Sequence, residues 1–147
     1  MDIPPVFEDR TLEFISAKLK SMPQKARYCT LSIDEMVIKR HYDTKRGEMI
    51  GLHNINGEVT PEIASHACVA MLRGIMVNWK QPIAYSFLGS PKYYERLELW
   101  LDAIILKLSN IGIDVKVIVS DQGSNFDMYA TPVKNVTKDM PYFLLKW

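Results

Sequence analysis

The chain has 147 residues, of which 48% are hydrophobic and 24% charged, with a formal net charge of +1. That length suits one domain with its own core, and the composition excludes collagen-like and wholly disordered chains. No apolar run reaches the roughly 18 residues of a membrane-spanning helix, and the near-neutral charge is not that of a dedicated nucleic-acid anchor. The start, Met1-Asp2-Ile3-Pro4-Pro5, lacks the basic and then apolar pattern of a secretory leader. Cys29 and Cys68 sit among apolar neighbours without CxxC spacing. They read as reduced, buried thiols of an intracellular protein and not as zinc ligands.

In chain order, Leu12, Ile15, Leu19 and Met22 recur at helical steps, and Pro23 stops that helix. From Tyr28 to Ile38 the period becomes two: Cys29, Leu31, Ile33 and Val37 share one face, and Thr30, Ser32 and Asp34 the other. This predicts a long strand, half or fully buried. Lys39 to Gly47 reads as a polar turn, Glu48 to Leu52 as a short returning strand, and Asn54 to Pro61 as a loop. Ala67 to Met76 fits helix or strand, and the flanking hairpin-like segments favour strand. Pro82 to Leu88 alternates as a strand.

Ser90-Pro91 is a helix start, a serine cap followed by proline at the first turn. Tyr94, Leu97, Leu101, Ile104, Leu108 and Ile111 continue the helix as one apolar stripe, and Gly112 is placed to cap it. Val115 to Ser120 is nearly all apolar, the pattern of a central parallel strand. Asp121-Gln122-Gly123-Ser124-Asn125 then turns, and the chain becomes irregular after Ala130. Meandering strands, a crossover helix and a buried strand predict a mixed α/β sheet.

Two carboxylates stand out. Asp34 falls inside the first long strand, and Asp121 at the C-terminal end of the later apolar one. A charge in a buried strand is costly unless paired or metal-bound, and open α/β sheets bind ligands beyond their strands' carboxyl ends. If the two strands are neighbours, the aspartates would share a divalent ion such as Mg²⁺ or Mn²⁺. The plainer alternative for Asp121 is a turn or cap residue before glycine. Strand alternation sends Glu35 to the opposite face. His41, His53 and His66 show no metal-ligand spacing, and neither Ser120 nor Ser124 has a nearby histidine.

At these residues the chain resembles a known family. Cys29-Thr30-Leu31-Ser32-Ile33-Asp34-Glu35-Met36 is similar to the first catalytic strand of P-element-type transposases, including their THAP-containing relatives. Ala64-Ser65-His66-Ala67, Met71-Leu72-Arg73-Gly74 and Asn78-Trp79-Lys80-Gln81-Pro82-Ile83-Ala84-Tyr85 resemble the next segments in order. Val119-Ser120-Asp121-Gln122-Gly123-Ser124-Asn125 resembles the second catalytic segment. One register covers Leu12 to Asn125.

The resemblance implies an α/β fold of the RNase H-like kind: antiparallel strands, a crossover helix and a parallel strand, incomplete at the C-terminus. It divides the chain into an N-terminal helical segment (1–27), a partial catalytic domain (28–130) and an irregular tail (131–147). Asp34 would be the first catalytic carboxylate and Asp121 the second, holding Mg²⁺ or Mn²⁺ for DNA strand cleavage and strand transfer. The implied partner is transposon DNA, in the nucleus, with a homo-oligomer compatible and no membrane. Arg73 and Lys80, in the matched middle, are candidate phosphate contacts, and Trp79 reads as a packing residue.

The departures bear on activity. The family's third acidic residue lies beyond a GTP-binding insertion, and nothing after Asp121 resembles either; Asp127 and Asp139 fall in unmatched segments. The zinc-dependent THAP module is also missing, and Phe126 replaces a polar residue usual after the Gly-Ser-Asn run. Weak or absent catalysis is therefore expected of this chain alone. Two other readings stay open on sequence: a non-catalytic DNA-binding or assembly module that kept the fold, and a small nucleotide-binding α/β domain using the 121–125 loop.

Overall fold

The computed structural model describes residues 9–38, 41–43, 48–50, 52–55, 58–88, 94–120, 137, 139 and 140. Helix α1 (Asp9–Lys20) is followed by a 3₁₀ turn (Gln24–Arg27) and strand β1 (Tyr28–Val37). Then come β2 (His41–Asp43), β3 (Glu48–Ile50), β4 (Leu52–Ile55), β5 (Glu58–Ile63), β6 (His66–Gly74) and β7 (Lys80–Leu88). Helix α2 (Tyr94–Asn110) and β8 (Asp114–Ser120) complete the order. Six strands form one sheet in the order β5-β4-β7-β6-β1-β8, while β2 and β3 pair separately. Every contact in the main sheet is antiparallel except β1 with β8, which is parallel. A parallel pair needs a crossover connection, and α2 lies in the chain between them.

Alternation decides what β1 buries. Cys29, Leu31 and Ile33 point into one cluster with Cys68, Ala70 and Leu72 of β6. Ile15 and Leu19 of α1 and Leu97, Trp100, Leu101, Ile104, Ile105 and Leu108 of α2 close the same cluster. Both described helices therefore pack on one face of the sheet. The helix stripe runs through Leu97, Leu101, Ile104 and Leu108 as its spacing predicts, widened by Trp100 and Ile105. Gly112 ends α2 at φ 87°, with its N–H donated to Ser109 and the Ile113 N–H to Leu108. That pair of bonds satisfies two carbonyls of the last turn, and the left-handed backbone requires glycine there.

Three expectations change. The loop read over Asn54–Pro61 is largely strand, as β4 and β5. Pro61 is tolerated because β5 is the outer strand of the sheet, where a missing N–H breaks no inner ladder. The strand Val115–Ser120 is parallel as expected, but it lies at the sheet's edge among the described residues. Val117 and Val119 are about half exposed, at 47% and 49%. An apolar run shows that water is excluded somewhere, not that a strand is central. Thirdly, His41–Asp43 forms a strand within the polar turn read over 39–47, pairing with Glu48–Ile50. The helix start at Ser90-Pro91, the turn from 121 to 125 and most of the tail lie outside the described residues.

Candidate functional site

β1 and β8 run side by side, and their register ends on the pair Ile33–Ser120. Asp34 follows Ile33 directly on β1. In the sequence Asp121 follows Ser120 in the same way, but it lies outside the described residues, as does Asp127. The parallel neighbourhood that the two-aspartate argument requires is thus present in the backbone.

The environment of Asp34 corrects part of that argument. Asp34 is exposed, and Met36 and Val37 beyond it are 48% and 79% exposed. The C-terminal third of β1 is not a buried strand: Asp34 and Met36 belong to the face away from both described helices, and Val37, on the face of Cys29, Leu31 and Ile33, lies beyond the core cluster. No desolvation penalty therefore forces a partner on its carboxylate, and among the described residues it has neither a hydrogen bond nor an ion pair. It stands as an open hard-oxygen donor. Glu35 faces the other way, opposite Cys68 in the β1–β6 register. Among the described residues no group of three or more His, Cys, Asp or Glu side chains gathers to hold a metal.

Asp34 does share its face with other candidates. It pairs with Val69 across the sheet, and Thr30 pairs with Arg73 four residues along. Arg73 pairs in turn with Lys80 on β7. Alternation puts Asp34, Arg73 and Lys80 on one side of the sheet. The rise from Val69 to Arg73 is about 13 Å, close to four base-pair steps of a duplex. Arg73 and Lys80 are both exposed, and like charges set directly opposite repel. A phosphate between them would relieve that repulsion. Sequence spacing could not show this pairing, since a hairpin turn separates the two residues.

Trp79 is a packing residue as expected, 6% exposed, with its indole N–H donated to the Ala26 carbonyl at 3.0 Å. Lys18 stands 5.5 Å from the centre of its ring. The His66 Nδ1 lies 2.8 Å from the hydroxyl of its neighbour Ser65.

Both cysteines are free and buried. Burial pushes the Cys68 thiol up to about 12, helped by the negative charges of Glu35 and Asp34. Cys29 is raised to about 11 by burial and then by Asp114. A thiol raised this far is held as the inert S–H form. The folded chain is therefore expected to resist iodoacetamide at pH 8 and to alkylate fully only in denaturant. The linkage has a definite sign. Above about pH 9 the unfolded chain ionises both thiols while the folded chain does not, so stability falls as pH rises from about 9 towards 11–12. Rapid alkylation of the native chain, or flat stability across that window, would contradict the burial of these groups.

One basic group had no sequence signal beyond its charges. Lys20, Gln24 and Arg27 line an open cavity with Leu19, Met22 and Gly112, at the end of the sheet where β1 begins.

Comparison with known proteins gives three findings. A family model described as the TNP-like, RNase H N-terminal domain matches residues 3–131. The human DNA transposase THAP9 is 31% identical over 124 residues, which is 80% of this chain and 14% of that protein. The solved Drosophila P element transposase strand transfer complex has a similar fold, with a TM-score of 0.59 at 24% identity. That match covers 88% of this chain and 26% of the solved one. The chain thus spans a minor part of the length of either relative.

Proposed function

The chain belongs to the TNP-like RNase H N-terminal domain family, and from that premise we propose that it is the front part of a DDE-type DNA transposase core. In this reading Asp34 and Asp121 are the first two metal-binding carboxylates. What supports it is the parallel β1–β8 pair, whose last rung, Ile33–Ser120, is followed in the sequence by Asp34 on one side and Asp121 on the other. Carboxylate oxygens suit Mg²⁺ or Mn²⁺, and the exposed carboxylate of Asp34 is of that donor type. The bound ion would activate the attacking water or hydroxyl and neutralise charge on the phosphodiester. Asp34 and Asp121 would hold the ion, and Arg73 and Lys80, on the face that carries Asp34, would orient the DNA backbone. Double-stranded transposon DNA is the proposed partner, and a nuclear location follows from it. No part of the chain resembles the family's GTP-binding insertion, so no nucleotide role is assigned.

Two carboxylates without a third make a weak catalytic centre. The 147-residue chain, incubated with labelled duplex DNA and Mg²⁺ or Mn²⁺, is expected to cleave weakly or not at all. Robust cleavage lost in Asp34→Ala would confirm the site and overturn the inactivity. Robust cleavage indifferent to Asp34→Ala would overturn the assignment itself.

A further inference from the structure

We propose a second DNA-backbone contact, at the opposite end of β1 from Asp34, where Lys20, Gln24 and Arg27 line an open cavity of about 530 Å³. The proposal rests on the reading of this chain as a DNA-acting domain and adds a binding surface to it.

The chemistry of the cavity selects an anion. Its lining carries two cations and one amide, with Leu19, Met22 and Gly112 and no carboxylate. Lys25, an exposed cation, sits on the same 3₁₀ turn outside the cavity lining. The acids of α1, Asp9 and Glu13, line a neighbouring cavity that Lys20 also borders, Glu13 lying roughly 10 Å before Lys20 along the helix. Asp114, two residues past Gly112, is already bound by Lys116 at 2.5 Å. That hydrogen bond pushes the Lys116 ammonium up, so the pair stays neutralised as an ion pair.

Two features distinguish this cluster from ordinary solvated charge. Cations in the last turn of a helix complement its dipole, which accounts for Lys18 and Lys20. It does not account for Lys25, which lies beyond the helix on a separate turn, whereas Arg27 reaches the carbonyl of Gly112 at the C-terminal end of α2. That turn is also fixed, because its Ala26 carbonyl accepts the Trp79 indole N–H and Ala26 is fully buried. Arg27 is further held by donation from Nη1 to the Gly112 carbonyl at 3.4 Å. The cations are thus mounted on rigid backbone around a concave, open surface. An open site with two cations suits a passing phosphodiester chain, whose contacts add affinity without reading sequence.

The test is binding of a mixed-sequence 20-base-pair duplex to the whole chain by fluorescence anisotropy, without divalent metal, over a salt series. K20Q alters an exposed residue and is expected to fold, reducing the slope of log affinity against log salt by about one; K20Q/R27Q should reduce it by about two. The double variant should also bind about tenfold or more weakly at every sequence tried. Unchanged affinity and slope in both variants would overturn the proposal, as would failure of the unsubstituted chain to bind at about 50 mM salt. Competition by millimolar inorganic phosphate as effective as that by duplex would overturn it too, reducing the cavity to a small-anion site. None of these outcomes depends on metal binding at Asp34, so this surface and the catalytic reading fail separately.

Discussion

Replacing Gly74 with valine is expected to be the most damaging single substitution in the described sheet. Gly74 ends β6 opposite Cys29, and its N–H donates to the Trp79 carbonyl at 2.9 Å. A Cβ there would lie 2.6 Å from Trp79 Nε1 and 2.7 Å from Trp79 Cδ1, and would also run into the Val77 carbonyl. Neither neighbour can yield cheaply. The Val77 oxygen is backbone, and it accepts the Trp79 N–H at 3.0 Å. The indole is buried in the core cluster and anchored to Ala26. Overpacking costs about 1–3 kcal/mol, and stranding the buried indole N–H adds about 1–3 kcal/mol. Against a total stability of about 5–15 kcal/mol, Gly74→Val should remove roughly 3–5 kcal/mol or abolish the cooperative transition. Urea unfolding followed by tryptophan fluorescence reads this directly. At Gly112, by contrast, an added Cβ meets only the far end of the Arg27 side chain, which can swing aside by giving up its bond to the Gly112 carbonyl. Gly112→Ala should cost about 1 kcal/mol, mainly through the positive φ. A Gly74→Val chain as stable as the unsubstituted one would contradict the packing of the β6–β7 turn against the 3₁₀ turn.

Gly74 also shows what the sequence could and could not convey. Periodicity was enough for α1, β1, β7 and α2, because each carries its apolar residues on one face over several turns or rungs. Gly112 was legible because a glycine after a helical stripe has one common use. The middle of the chain was less legible. β4 and β5 contain Asn, Gly and Pro neighbours that read as turns, and only their pairing with each other and of β4 with β7 makes them strands. The apolar run of β8 pointed to a strand but not to its position. Nothing local says whether a strand has neighbours on both sides. The partnership of β1 and β8 required the family resemblance or the sheet itself. The charge of Asp34 was legible, but its exposure was not, since that depends on which face the two helices choose. The pairing of Arg73 with Lys80, and the grouping of Lys20, Gln24 and Arg27, arise from contacts between separate elements.

The second large effect concerns the shared ion. Two carboxylates that bind one cation act as a unit, so removing either should cost most of what removing both would. Affinity for hard divalent ions scales with the number of charged ligands. With two such ligands, neutralising one as the amide should weaken binding by roughly tenfold to a hundredfold, about 1.4–2.8 kcal/mol. Asn keeps the size and shape of Asp, and the exposure of Asp34 means that Asp34→Asn should leave the fold intact. The strands themselves need not change, since the Ile33–Ser120 rung is made by backbone.

The most direct measurement is a Mn²⁺ titration of the whole chain followed by electron paramagnetic resonance, with Asp34→Asn, Asp121→Asn and the double variant beside it. Saturable binding is expected in the unsubstituted chain, with a loss of about tenfold or more in each single variant and little further loss in the double. Binding unchanged in both single variants, or absent from the unsubstituted chain, would contradict a metal centre built on these two aspartates.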